Sequence, residues 1–202
     1  MMSVQQMILS LIHHIHAAVS RRLCLPVHLA LGLAMLGFLP STVSADPPVS
    51  EYAVKAAIIY KISKFVAWPE DAFSSRIEPL PVCLPDADPI GPAMDALAGK
   101  IVGGRPIAIR RLDEISTVAT DCKILFLGQN SSASQMKLVS NVASAPVLTI
   151  GDSNDFVDLG GIVTLEIEQS RVQFAINVDA SERAGLNISA QLLQLATIKD
   201  GG

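Results

Sequence analysis

The stretch IVTLEIEQSRVQFAINV, residues 162–178, alternates apolar and polar side chains on both sides of a short polar break at residues 169 and 170. Successive side chains of a β-strand point to opposite faces, so this alternation predicts two strands, each with one apolar face. A two-residue turn at the break pairs Leu165 with Phe174 and keeps the apolar residues of both strands together. The stretch is therefore predicted to be an antiparallel hairpin with an apolar face that is buried, the dry face, and a polar face exposed to solvent, the wet face.

The chain before the hairpin alternates strand-like and helix-like segments. Short continuous apolar runs separated by helices are typical of parallel strands that are buried on both faces. The predicted strands are residues 80–85, 105–112, 122–128 and 145–152, the second entered through a turn at residues 103 and 104, and the helices between them lie within residues 90–102 and 132–144. This order predicts a mostly parallel sheet covered by helices on both faces.

The chain after the hairpin is predicted to close with a single helix. Asp179 stands three residues before Glu182, which resembles a capping box. The apolar stripe of this helix is formed by Ile188, Leu192 and Leu195. The predicted fold class is therefore an α/β three-layer sandwich, with a mostly parallel sheet plus a C-terminal antiparallel hairpin and helix.

Residues 1–45 differ in kind from the rest of the chain. They contain no Asp or Glu, carry a pair of arginines at Arg21 and Arg22, and continue into the apolar run LPVHLALGLAMLGFLP. This arrangement is typical of a secretory signal, with small residues that fit cleavage after Ala45. An uncleaved anchor is disfavoured because the run is shorter than the roughly 20 residues of a spanning helix. We expect a cleaved signal peptide and one exported periplasmic domain, residues 46–202.

The mature segment, residues 46–202, carries 13 Lys and Arg against all 19 Asp and Glu, a net charge of −6 that argues against a nucleic-acid partner. All four histidines precede it, so neither a histidine-dependent nucleophile nor a histidine-bound metal can form. Two cysteines remain, Cys83 and Cys122, which in an exported protein most simply form one disulfide. The alternative, a redox-active or metal-binding pair, lacks C-x-x-C spacing. We expect no catalytic residue, metal or cofactor.

Carboxylates and a hydroxyl-rich turn are the remaining candidates for chemistry. Asp152, Asp155 and Asp158 follow a strand end, where α/β proteins often place ligands. They favour an acidic loop, and a carboxylate hydrolase stays open as a rival. Ser131 and Ser132 suit a helix cap, or the site of a small anion. A small-molecule binding module near these residues is therefore the alternative function.

The stretch EYAVKAAIIYKISKFVAWPEDAF, residues 51–73, is predicted to be a helix that is apolar nearly all round. Such a helix is buried in a core or covered by a partner. At 100° per residue, one apolar side is predicted to carry Val54, Ala57, Ile58, Ile62, Phe65 and Trp68. Lys61 points into the apolar side, where an unpaired charge is costly, so it is expected to reach the surface, pair with a carboxylate, or meet another protein.

Several stretches resemble the YfiR-like family of periplasmic proteins. KAAIIYKISKFVAWP, residues 55–69, resembles the lysine-rich helix with a terminal Trp-Pro that opens the mature proteins of this family. GGIVTLEIEQSRVQFAINVDASERAGLNISAQLLQLA, residues 160–196, is similar to the family's C-terminal hairpin and helix. Between them, PVCLPDADPIG with Cys83, CKILFLG with Cys122 and the loop VLTIGDSNDF are similar to its paired-cysteine strands and next loop. The resemblance covers almost all of residues 46–202.

The resemblance implies a non-catalytic regulator. Members of the family bind the periplasmic sensor region of an inner-membrane diguanylate cyclase and hold its cytoplasmic output low. Their release raises cyclic di-GMP and favours biofilm growth. The resemblance also implies an α/β sandwich and a disulfide between Cys83 and Cys122, whereas an extra cysteine pair of other members is absent here. The sequence leaves a homodimer and a bound small ligand open.

Two polar surfaces are not explained by packing alone, and they form our hypothesis for the partner site. One surface lies on the lysine-bearing helix and the other on the wet face of the hairpin. The hypothesis names Lys61, Lys64 and Trp68 on the helix, and Glu166, Arg171 and Asn177 on the hairpin. The competing interpretation assigns these residues to surface salt bridges and core packing.

Overall fold

The protein is described by a computed structural model that covers residues 50–112, 121–128, 132–168 and 171–199. The predicted signal peptide, Ser131 and the turn of the hairpin lie outside these ranges. The helices are α1 (Glu51–Ser63), α2 (Gly91–Asp95), α3 (Ser132–Val142), α4 (Val178–Arg183) and α5 (Ala190–Leu193). The strands are β1 (Val66–Ala67), β2 (Leu80–Pro85), β3 (Ile101–Val102), β4 (Arg105–Leu112), β5 (Ile124–Leu127), β6 (Leu148–Gly151), β7 (Val163–Glu168), β8 (Arg171–Asn177), β9 (Asn187–Ile188) and β10 (Thr197–Lys199).

Eight strands form one sheet in the order β10-β8-β7-β6-β5-β2-β4-β3, and β1 pairs with β9 in a separate two-stranded sheet. The strands from β4 through β2, β5 and β6 to β7 are parallel to their neighbours, as β10 is to β8. β7 and β8 are antiparallel, and Leu165 pairs with Phe174 as predicted. The mostly parallel sheet with a C-terminal antiparallel hairpin is confirmed.

Alternating side chains of the central strands fill a separate core on each face of the sheet. Ile124 and Phe126 of β5 belong to the core beneath α1 and the C-terminal segments. Leu125 and Leu127 of the same strand belong to the core beneath α3. Because successive strand residues point to opposite faces, one strand serves both cores. Helices on both faces of the sheet give the predicted three-layer sandwich.

A disulfide between Cys83 and Cys122 joins β2 to the start of β5. Both half-cystines are fully buried in the core beneath α3. Their Cα atoms are 5.9 Å apart, and the two residues are separated by 39 positions in the chain. The predicted pairing is confirmed, and its burial identifies the disulfide as a brace between neighbouring strands.

Helix α1 ends at Ser63, earlier than expected, and it buries a different side from the predicted one. The buried side consists of Lys55, Ala56, Ile59, Ile62 and Ser63. Ala57 and Phe65, which were assigned to the apolar side, are exposed, and so is Lys61. The prediction was wrong because a helix that is apolar nearly all round does not select one side by its pattern. Lys61 reaches solvent directly, and Lys55 is the buried lysine instead.

The predicted single closing helix is also wrong, because α4 and α5 are separate short helices with β9 between them. Gly185 ends α4 with a left-handed φ of +68°, a conformation that glycine adopts without strain. The cap of α4 is Asn177 and not Asp179, since the Asn177 side chain accepts the Ala180 N–H. Leu195 of the predicted stripe is 75% exposed.

Candidate binding groove

A groove opens at the amino edge of the sheet, where β2 and β4 begin and α1 ends. Its walls come from residues 63–70, the loop at residues 73–76 and the starts of these two strands. Its volume is about 550 Å³, within the range of about 300–1,000 Å³ that is usual for ligand pockets. Lys64 and Trp68, two of the predicted partner residues, both line this groove.

Trp68 and Phe73 are the aromatic walls of the groove, and neighbouring groups hold both rings. The indole Nε1 of Trp68 donates a hydrogen bond of 3.2 Å to the backbone oxygen of Lys123. The guanidinium carbon of Arg105 lies 3.6 Å from the centre of the Phe73 ring. Arg105 is fixed in turn, because its Nη1 donates to two backbone oxygens of the loop after Phe73, at 2.7 Å each. The rings are therefore positioned before any partner arrives.

Lys64 lines the groove, and two further lysines contact aromatic rings close to it. The ammonium groups of Lys64 and Lys100 lie 5.3 and 5.9 Å from the centre of the Tyr60 ring. The ammonium of Lys123 lies 5.6 Å from the centre of the Phe73 ring. Such cation–π contacts contribute about 0.5–1 kcal/mol at exposed sites. No ion pair within the described ranges involves these three lysines, and Lys64 and Lys100 are exposed to solvent.

The hairpin residues of the hypothesis lie away from the groove. Glu166 is half-buried on β7, and Arg171 begins β8 with a side chain outside the description. β7 pairs with β6 only near its start, up to Thr164, and runs parallel to β6 and through it to β2. Glu166 therefore lies at the carboxyl edge of the sheet, opposite the groove. The structure does not join the two predicted surfaces.

Asn177 was predicted to lie on the wet face of the hairpin, but it is buried. It is only 3% exposed, its side-chain nitrogen donates to the backbone oxygen of Val157 at 3.2 Å, and its side-chain oxygen accepts the Ala180 N–H at 2.8 Å. The Val157 N–H also bonds to Thr164 on the same face. The loop after β6 thus covers this end of the hairpin. Asn177 has a structural role, and its position gives it no surface for a partner.

The carboxyl edge carries a second polar cluster, centred on Lys55 of α1. The Lys55 ammonium lies 2.7 Å from the Glu51 carboxylate and 3.0 Å from that of Asp152, and 9% of the Lys55 side chain is exposed. Burial lowers the pKa of Lys55, but the hydrogen bonds to Glu51 and Asp152 outweigh this effect and hold it above its usual 10.5. Because Asp152 follows β6, this ion pair ties α1 to the carboxyl edge of the sheet.

Asp88 follows β2 at the same edge, and its surroundings disfavour the charged form of its carboxyl group. Burial raises the pKa of its carboxyl group, against the lowering effect of the Ile90 N–H, which the carboxylate accepts at 3.0 Å. The charge of Asp152 raises this pKa further, and the charge of Lys55 opposes it. The edge therefore already holds more acidic than basic charge, which disfavours an anionic ligand there.

The three carboxylates predicted as a hydrolase rival have separate partners. Asp152 is held by the ion pair with α1, Asp155 accepts a 3.0 Å hydrogen bond from the Ser132 hydroxyl, and Asp158 lies 3.7 Å from Lys199. Hydrogen bonds from serine hydroxyls lower the pKa of Asp155. Within the described ranges, no group of three or more metal-ligating side chains occurs. This arrangement favours the acidic-loop interpretation.

Several residues of these two sites were not predicted from the sequence. Phe73, Arg105 and Lys123 come from separate elements, and the fold alone brings them together. No local pattern marks them. Lys55 could have been found, because it stands four residues after Glu51, the spacing of a helical ion pair.

The described residues form a three-layer α/β sandwich with a preformed groove that aromatic and cationic side chains line. A crystal structure described as a conserved domain protein from Vibrio cholerae has a similar fold, with a TM-score of 0.52 and 13% sequence identity. The match covers 74% of this chain and 60% of that protein, so the chain spans less than two thirds of its length. At this identity the likeness concerns the fold alone.

The chain belongs to the YfiR/HmsC-like family, whose sequence model matches residues 52–197. The resemblance read from the sequence is confirmed. In the part of the chain that the structure describes, no helix has the length and apolar character needed to cross a membrane.

Proposed function

We propose that the protein is a periplasmic, non-catalytic regulator that binds the periplasmic sensor region of an inner-membrane diguanylate cyclase. Binding holds the cytoplasmic output of the cyclase low and so limits cyclic di-GMP and biofilm formation. Residues 1–45 direct export and are removed, leaving residues 46–202 in the periplasm. Family membership supports this proposal, and the groove is the observation that carries it to particular residues.

The composition of the groove supports a protein partner. Trp68 is the kind of large, positioned aromatic side chain that dominates binding energy at interfaces. Lys64 and Lys61 stand near it at the end of α1, both exposed and without an ion pair in the described residues. Exposed charges beside an aromatic centre are typical of the rim of an interface. We assign the partner surface to Lys61, Lys64 and Trp68 first, and to Glu166 and Arg171 second.

The engaged carboxylates support a non-catalytic role. General acids and bases are most often an imidazole or a carboxyl group within reach of a substrate. Asp152, Asp155 and Asp158 each have a partner in the fold, and residues 46–202 contain no histidine. The volume of the groove favours one second candidate, a module that binds a small molecule. Native mass spectrometry of the protein from periplasmic extract distinguishes the two, because a bound molecule survives as added mass.

The proposal predicts that the processed protein binds the purified sensor domain of its cyclase, and that Trp68→Ala weakens this binding by about 30-fold. Lys61→Ala with Lys64→Ala is expected to weaken it by roughly threefold to tenfold, mainly through slower association. Isothermal titration calorimetry and stopped-flow association measure these effects. Lys137→Ala is the matched control, since Lys137 is exposed on α3, away from the groove.

Circular dichroism shows whether Trp68→Ala is folded. If it is not, Trp68→Phe, which keeps an aromatic ring, takes its place. Unchanged binding in the lysine pair and the Trp68 variants refutes the assignment to the groove. In that case Glu166→Ala and Arg171→Ala test the hairpin surface. Absence of binding by the wild-type protein refutes the proposed function itself.

A further inference from the structure

Three groups on the groove wall carry positive charge, and one carries negative charge. Lys64, Arg76 and Arg105 line it, against the single carboxylate of Glu70. Arg105 uses one of its guanidinium nitrogens on backbone oxygens, and no described ion pair involves any of the three cations. The whole chain is acidic, so this local excess is not a consequence of composition. The groove is therefore suited to an anionic occupant.

Lys123 adds positive charge next to Phe73, one of the aromatic walls of the groove. Lys123 is only 8% exposed and is, with Lys55, one of the two buried charged residues in the described ranges. Its ammonium contacts the Phe73 ring, and among the described residues it has no hydrogen bond or ion pair through its side chain. A nearly buried ammonium is costly, and an anion nearby offsets that cost. The Glu78 carboxylate offsets part of it, since it is attracted to Lys123 without forming an ion pair with it.

Two free strand edges lie on the groove. Val66 and Ala67 of β1 line it, and among the described strands β1 pairs only with β9. Val102 of β3 also lines it, and β3 is the last strand of the large sheet. Unpaired strand edges present N–H and C=O groups that accept an added strand. Tyr60 already donates to the Ile101 oxygen of β3, so β1 is the freer edge.

Apolar surface between the edges completes the groove. Trp68 and Phe73 face it, with Leu80 at its base. Ile77, in the loop after Phe73, is 86% exposed beside it. A concave site of this kind receives a peptide better than a flat lipid surface. Alternate side chains of an added strand would meet apolar and cationic groups in turn.

From these contacts we infer that the groove binds an extended acidic segment of the partner, which adds to the free edge of β1. Its apolar side chain enters between Trp68 and Phe73, and its carboxylates meet Lys64, Arg76 and Arg105. The inference rests on the proposed function for the identity of the partner, the sensor region of the cyclase. The chemistry of the segment is deduced from the groove alone.

Trp68 reports on this site directly, because it is the only tryptophan of the chain. The first probe is an acetylated decapeptide in which glutamate alternates with leucine, and the second has lysine in place of glutamate. The glutamate peptide is expected to change Trp68 fluorescence, with affinity that falls as salt shortens the screening length from about 30 Å at 0.01 M to 3 Å at 1 M. A version with proline at its centre, which lacks a ladder donor, is expected to bind at least tenfold more weakly.

Charge reversal tests the cations without disturbing the core. Lys64→Glu with Arg76→Glu is expected to weaken glutamate-peptide binding by about 30-fold and to improve lysine-peptide binding. Both residues are exposed, so the variant keeps the fold, which circular dichroism checks. Lys137→Glu is the charge-matched control and is expected to bind like the wild type.

Equal affinity for the two peptides, or no response of Trp68 to either, overturns the inference. A Trp68 response to anionic phosphatidylglycerol vesicles but not to the glutamate peptide overturns it in favour of a membrane surface. If the double variant binds the sensor domain like the wild type, the groove assignment fails and the proposed function stands. If the wild type does not bind the sensor domain but binds the glutamate peptide as described, the proposed function fails. The preference of the groove for an extended acidic segment is then still supported.

Discussion

Replacing Cys83 and Cys122 together by alanine is expected to lower the free energy of unfolding by about 4 kcal/mol. The disulfide closes a loop between residues separated by 39 positions, so its loss frees a long segment of the unfolded chain. Both residues are fully buried beside Leu125 and Phe156, where no solvent reaches the sulfur atoms. Loss of about 4 kcal/mol is a large part of the 5–15 kcal/mol that typical domains possess.

Urea unfolding with and without reductant measures this effect. Reductant added during unfolding is expected to bring the wild type close to the stability of the double variant and to leave the variant unchanged, which makes the variant its own control. Thiol labelling of residues 46–202 of the wild type is expected to be negligible without reductant, even in urea, since both sulfurs are bonded to each other. A decrease of less than about 1 kcal/mol would contradict the role of the disulfide as a brace.

The second large effect is expected for Lys55→Ala, which should lower the free energy of unfolding by about 3 kcal/mol. The variant leaves Asp152 without its cation, in a position where only 11% of its side chain is exposed. Glu51 contributes less, since it is 58% exposed and readily hydrated. Replacing the pair together, Lys55→Met with Asp152→Leu, is expected to recover most of the loss, because no charge is then left buried.

Lys61→Ala is the matched control on the same helix, with an expected change within about 0.5 kcal/mol, because Lys61 is exposed and unpaired in the described residues. The pKa of Lys55 is raised in the folded state, so its contribution is fully present below the unfolded value of 10.5 and is lost as pH rises through the folded value. The difference between wild type and Lys55→Ala should therefore be constant from pH 7 to about 10. A Lys55→Ala variant as stable as Lys61→Ala would contradict the ion-pair assignment.

The hairpin and the parallel sheet could be predicted from the sequence because their signals are local. Alternation with a period of two fixes both the strand identity of residues 162–178 and the register that pairs Leu165 with Phe174. Continuous apolar runs separated by helices likewise specify buried parallel strands. The disulfide could be predicted because only two cysteines, Cys83 and Cys122, remain after residue 45.

Other features depended on tertiary contacts that no local pattern records. The buried side of α1 is selected by what packs on it, including the Lys55 ion pair, because its sequence is apolar all round. The wet face of the hairpin is partly covered by the loop after β6, which buries Asn177. The break at Gly185 depends on a left-handed backbone conformation, which the helical stripe conceals.

The candidate site was predicted in part. The Trp-Pro ending and its lysines pointed to Lys64 and Trp68, both of which line the groove. Arg105 and Phe73 could not be foreseen, because their stacking requires β4 and the loop after β1 to meet. The sheet therefore has two different edges, a basic groove at the amino edge and an acidic cluster at the carboxyl edge. We propose that the basic edge faces the cyclase.

Repression is tested by the activity of the membrane diguanylate cyclase, reconstituted in bilayer nanodiscs, as residues 46–202 of the protein are added. We expect formation of cyclic di-GMP from GTP to fall to a low plateau at saturation. We also expect the Lys64→Glu, Arg76→Glu variant to require about 30-fold more protein to reach the same plateau, and Lys137→Glu to behave as the wild type. Unchanged cyclic di-GMP formation at saturating wild-type protein, with the cyclase shown to be active and correctly inserted, would contradict the central claim.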